Sequence, residues 1–174
     1  MKSVLASLML TACVAFSVVA MEPPQSAGQE FPNLTLISVD SGETVELLSL
    51  RGRPVLLDFW ATWCGPCRVE LPELQKLYNE LGGRGFVLAT INVDRSPEAI
   101  GPFLRRMGLA VPVYRINPQA LRKLGVRTIP MSILLDPEGR VARVYRGFAP
   151  QVMMDIRSLV LGFLPKAPAG DNGS

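Results

Sequence analysis

The chain has 174 residues, 48% of them hydrophobic, and a formal net charge of +3: one ordinary domain with a full core. So small a charge argues against nucleic acid as a partner and against electrostatic attachment to a membrane surface. The sequence contains no histidine, which excludes Ser-His and Cys-His catalysis, haem attachment through C-x-x-C-H and the common His-containing metal sites.

Residues 1–20, "MKSVLASLMLTACVAFSVVA", open with Lys2, continue as an apolar run and end on small residues, the pattern of a secretory signal peptide. The run is also long enough to serve as an uncleaved membrane anchor. "LTAC", Leu10 to Cys13, is similar to a bacterial lipid-attachment box, which makes lipidation of Cys13 a third reading. The plainest reading of Cys13 is a small hydrophobe inside the signal. All three send the domain out of the cytoplasm, where most cysteine pairs are inert disulfides.

Residues 21–31 read as a linker, 32–164 as the domain and 165–174, rich in Pro and Gly, as a disordered tail. "ETVELLSL" predicts a short strand and a helical turn. "PVLLDFW", Pro54 to Trp60, predicts a strand buried on both faces, interrupted by one acid. Val69, Leu74, Leu77 and Leu81 recur at helical spacing from Gly65 until "GGRG" stops the helix. "FVLATINVD" predicts a second buried strand. "SPEAIGPFLRRMG" starts with a capping serine and a proline, and Gly101-Pro102 should bend or break the helix. "NPQALRKLG" repeats that start. "MSILLD", "PEG" and "RVARVYRG" predict a hairpin, and "PQVMMDIRSLVLGFL" a closing amphipathic helix. Strands alternating with helices, then a hairpin, indicate an α/β fold with a mixed sheet covered by helices. The arginines Arg140, Arg143 and Arg146 alternate along the hairpin and read as a solvated face.

Only Gly65 and Pro66 separate Cys64 from Cys67. The pair can be a structural staple, part of a metal site or a reversible dithiol. Zinc normally takes four ligands, and two cysteines without histidine do not supply them. A staple closing so small a loop stabilises little in the chain-entropy account. A strand running into C-x-x-C at a helix start favours exchange chemistry. There the first sulfur meets free N–H groups and the positive end of the helix dipole, which lower a thiol's pKa. The second sulfur, one turn on, is placed to attack a mixed disulfide.

"DFWATWCGPC", followed by "RVELPEL" and, about sixty residues on, by "TIP" before a strand, resembles thioredoxins. With the apolar leader it is most similar to the extracytoplasmic TlpA/ResA/DsbE group, over roughly residues 32–164. The resemblance implies a thioredoxin-like fold with a small N-terminal β extension, and a thiol–disulfide oxidoreductase that needs no cofactor. Cys64 would be the nucleophile and Cys67 the resolving cysteine of a redox disulfide. Trp63 would lie beside the sulfurs, Gly65 and Pro66 would tune the redox balance toward reduction, and Pro72 would be the helix-kinking proline. Ile129 and Pro130 would form the cis-proline turn that receives a client backbone.

Asp58, six residues before Cys64, matches the family's buried acid, expected to have a raised pKa and to shuttle a proton for Cys67. Thr90 stands where thioredoxins carry a lysine near this acid. The implied partners are disulfide-containing client proteins, such as apocytochrome c or copper-site proteins, and a membrane electron donor. A peroxiredoxin-like peroxidase and a non-catalytic binding module are the rival functions. Copper delivery of the Sco type is disfavoured, since it requires a longer cysteine spacing and a histidine.

Overall fold

The computed structural model describes residues 26–165, so the expectations for the leader, Cys13 and the tail from residue 166 onward lie outside the described residues. Seven strands form one mixed sheet in the order β2-β1-β5-β4-β3-β6-β7. They are β1 (Thr35–Ser38), β2 (Thr44–Glu46), β3 (Val55–Trp60), β4 (Val87–Asn92), β5 (Val113–Arg115), β6 (Met131–Leu135) and β7 (Val141–Arg146). Four α-helices accompany them: α1 (Gly65–Leu81), α2 (Ile100–Met107), α3 (Pro118–Lys123) and α4 (Pro150–Phe163).

β3 is central, parallel to β4 and antiparallel to β6. All six of its residues are buried. The expected N-terminal extension is the β1–β2 hairpin, attached antiparallel to β5. β1 and β5, at four and three residues, are too short to alternate visibly and were not anticipated. Within the stretch expected as a linker, the chain already runs beside β7: the Gly28 N–H donates to Val141 O at 2.7 Å, and Phe31 is buried.

Three local expectations are corrected. Gly101-Pro102 does not break a helix; the break falls earlier, where a 3-10 turn over Pro97–Ala99 hands over to α2. Pro102 then lies in the first turn of α2, where no N–H is required. Ser96 does not cap a backbone N–H; its hydroxyl is bonded to the Glu98 carboxylate. The repeated start does have its cap, since Asn117 Oδ1 accepts from Gln119 N at 2.8 Å. In α1, Val69 is not part of the inward stripe: it is 58% exposed, and Glu70 takes the buried place beside Leu71 and Leu74.

The sheet separates two cores. One lies between β3, β4, β6 and the helices α1, α2 and α4; it includes Leu56, Trp60, Leu71, Phe103, Ile156 and both cysteines. The other lies under the β1–β2 hairpin and α3, with Leu57, Phe59, Ile91 and Ile133. Strand alternation sends Leu56, Asp58 and Trp60 to the first and Val55, Leu57 and Phe59 to the second.

Candidate active site

Cys64 is the N-cap of α1, in extended backbone, with Pro66 in the first turn. Its Sγ accepts a hydrogen bond from the Cys67 N–H at 3.2 Å. The helix therefore presents a donor to the sulfur in addition to its dipole, and both favour an anion there when the pair is reduced. The two cysteines form a disulfide, with Cα atoms 5.3 Å apart. Cys64 is 4% exposed and Cys67 is wholly buried. Both are buried, Cys67 the more completely. Trp63 stands out beside Cys64 at 67% exposure.

The turn carrying Trp63 and Cys64 is held at Thr62 from both sides. The Thr62 N–H donates to Asp94 Oδ2 at 3.0 Å, and its carbonyl accepts from Arg68 at 2.8 and 3.2 Å. Asn92 steadies Asp94 through a 2.9 Å bond to the same oxygen, and Arg115 donates to the Asp94 carbonyl at 3.0 Å. The Arg68 guanidinium lies 5.9 Å from the centre of the Phe103 ring, which packs on Trp60.

On the same side of the sheet as the cysteines, Asp58 is fully buried. Thr90 is its register partner on β4 and Ser132 on β6. The expected neighbourhood of Thr90 is thus present, but the Thr90 hydroxyl donates away from the acid, to Pro112 O at 2.7 Å. Ser132 Oγ lies 3.0 Å from Asp58 Oδ1 and 3.3 Å from Glu70 Oε1. The other oxygens, Asp58 Oδ2 and Glu70 Oε2, are buried without a partner among the described residues. Burial pushes Asp58 up to about 7, opposed by the Ser132 hydrogen bond. Burial and the neighbouring Asp58 charge push Glu70 up to about 9.

The Ile129–Pro130 peptide is cis, as the resemblance implied. Pro130 is buried, and its carbonyl accepts from Gly147 N at 2.8 Å. Pro72 lies inside α1, where it removes one intrahelical donor. Arg143 is paired with Asp155 at 3.4 Å and Arg140 bonds Gly28 O, so this row is partly engaged in local contacts.

Sequence reasoning missed Glu70, Ser132, Asp94 and Arg68. Glu70 had a signal: it sits three residues after Cys67, in the inward stripe, where a charge is out of place. Ser132 and Asp94 had none, because only the folded sheet brings them to the site.

A family model described as the AhpC/TSA family matches residues 27–161. The chain is 33% identical over 130 residues to the thiol-disulfide oxidoreductase ResA of Bacillus subtilis, covering 74% of this chain and 72% of that protein. The ResA of Halalkalibacterium halodurans is 32% identical over 130 residues, covering 74% and 73%. Among solved structures, a thiol:disulfide interchange protein from Bacteroides sp. superposes with a TM-score of 0.69 at 27% identity, covering 86% of this chain and 97% of that one. A thioredoxin family thiol:disulfide interchange protein from Chlorobium tepidum gives 0.67 at 28%, covering 82% and 100%.

Proposed function

The chain belongs to the AhpC/TSA family and, with the ResA proteins, to the thiol–disulfide oxidoreductases; from this we propose that Cys64 and Cys67 deliver electrons to disulfides of client proteins outside the cytoplasm. The observation that carries the reading is the placement of the two sulfurs: Cys64 at the N-terminal tip of α1 beside the exposed Trp63, and Cys67 wholly buried one turn on.

The Cys64 thiolate attacks one sulfur of the client disulfide, whose S–S bond breaks, and the leaving thiolate takes a proton from water. Cys67 gives its proton to the buried carboxyl pair and attacks the Cys64 sulfur. The second client thiolate leaves and is protonated in turn. The client gains two electrons and two protons, and Cys64–Cys67 closes as the disulfide seen here. Trp63 and the backbone before Pro130 receive the client chain, and Gly65 and Pro66 set the redox balance. A membrane electron donor reopens the pair. Residues 1–20 secrete or anchor the domain, or attach it through lipid on Cys13. Apocytochrome c and copper-site proteins are the client classes this account favours.

Expressing Cys67→Ser in the native host should leave envelope proteins with cysteines covalently attached to Cys64, identified by mass spectrometry. If the variant captures nothing while the unaltered protein still reduces a model disulfide, the resolving step is wrong. The AhpC/TSA match favours one other reading, a thiol peroxidase. Hydroperoxide consumption that is lost in Cys64→Ser would support it over the reductase.

A further inference from the structure

Three buried side chains from three elements meet on the side of the sheet that holds the cysteines: Asp58 from β3, Glu70 from α1 and Ser132 from β6. Ser132 Oγ is within hydrogen-bond distance of an oxygen on each acid, at 3.0 and 3.3 Å. A hydroxyl has one hydrogen to donate and lone pairs to accept with. It cannot donate to two carboxylates at once. It can donate to one ionised carboxylate while accepting from one protonated carboxyl. With both acids ionised, one would face Ser132 without a hydrogen, beside a like charge, in the dry side of the sheet. With both protonated, no anion would accept the serine hydrogen.

We propose that Asp58, Ser132 and Glu70 form a one-proton dyad, in which the Ser132 hydroxyl passes a proton between the two acids as Cys67 loses and regains its own. This rests on the oxidoreductase role above and adds to it a relay residue and a proton count. Cys67 and Glu70 are three residues apart on one face of α1, so Glu70 is the member next to the sulfur along the helix. When Cys67 is deprotonated to attack Cys64, the ionised member of the dyad takes the proton and both acids are briefly neutral. The extra proton then passes to solvent, so the oxidised dyad again holds one; when the pair is reduced, a proton re-enters from solvent and reaches Cys67 through the dyad. The raised affinity of both acids for protons agrees with this arrangement.

Other groups facing the cluster are already engaged. On β4, the Thr90 hydroxyl bonds Pro112 O. On β7, Tyr145, the register partner of Ser132, donates its hydroxyl to Asp155 of α4 at 2.6 Å. Asp155 is in turn paired with Arg143.

Infrared spectroscopy of the oxidised protein counts protonated carboxyls without any client. One buried protonated carboxyl per molecule is expected near neutral pH. Asp58→Asn should lower the pH at which Glu70 ionises, because a neighbouring charge is gone. Ser132→Ala should raise the titration of both acids and slow release of a client from the mixed disulfide on the order of tenfold, and Ser132→Thr should restore both. The dyad is overturned if Glu70 titrates at the same pH in Asp58→Asn as in the unaltered protein, or if Ser132→Ala moves neither acid. A shared proton in a protein that reduces no disulfide would overturn the oxidoreductase role and leave the dyad standing. Independent titration in an active protein would do the reverse.

Discussion

The two sides of β3 meet unlike neighbours. Toward the hairpin and α3, Val55, Leu57 and Phe59 enter an apolar cluster with Leu36, Ile91 and Ile133. Toward α1, Leu56 and Trp60 flank Asp58, and the same layer holds both cysteines, Glu70, Ser132 and Thr90. One strand thus serves two purposes by alternation alone. The apolar side holds β3 in place through area removed from water. The α1 side keeps acids and sulfurs dry, and there burial changes their chemistry rather than adding stability.

Three substitutions test that division. The largest effect belongs to the apolar side: Phe59→Ala should cost about 3–5 kcal/mol, read by chemical denaturation, while the molecules still folded reduce a model disulfide at the unaltered rate. If activity per folded molecule falls as steeply as stability, the two sides are not separable. Next is the pH dependence of stability. Asp58 and Glu70 bind protons more tightly folded than unfolded, with native values raised to about 7 and about 9 from 3.8 and 4.5. The native state therefore holds extra protons in that window, and stability should fall as pH rises through it. Asp58→Asn should flatten this fall and slow the Cys67-dependent step; denaturation midpoints across the window decide it. The smallest change in stability is expected at Trp63→Ala, within about 0.5 kcal/mol, because the ring is exposed. Its effect should appear as a raised KM for protein disulfides and an unchanged rate for a small one.

The same division explains what could be read in advance. Cys64, Cys67, Asp58 and Pro130 lie in two short stretches, where type and spacing carry the signal. The sheet around β3 and the hairpin of β6 and β7 announced themselves through apolar runs and alternation. Glu70 was hidden by assigning Val69 to the inward stripe, an error of one residue in helical phase. Ser132 and Asp94 act across gaps of 74 and 32 residues, to Asp58 and Thr62, and no local pattern encodes such pairings. β1 and β5 owe their conformation to each other's edges more than to their own composition.

The grip on Thr62 has a kinetic meaning. Its amide is tied to a carboxylate from the end of β4 and its carbonyl to a guanidinium from α1, and neither group trades electrons with the sulfurs. The loop before Cys64 is therefore braced, with the disulfide closed, by groups that carry no redox chemistry of their own. Holding Thr62 at both its amide and its carbonyl limits how far that loop can shift, which lowers the ordering that a docking chain would otherwise have to impose on it.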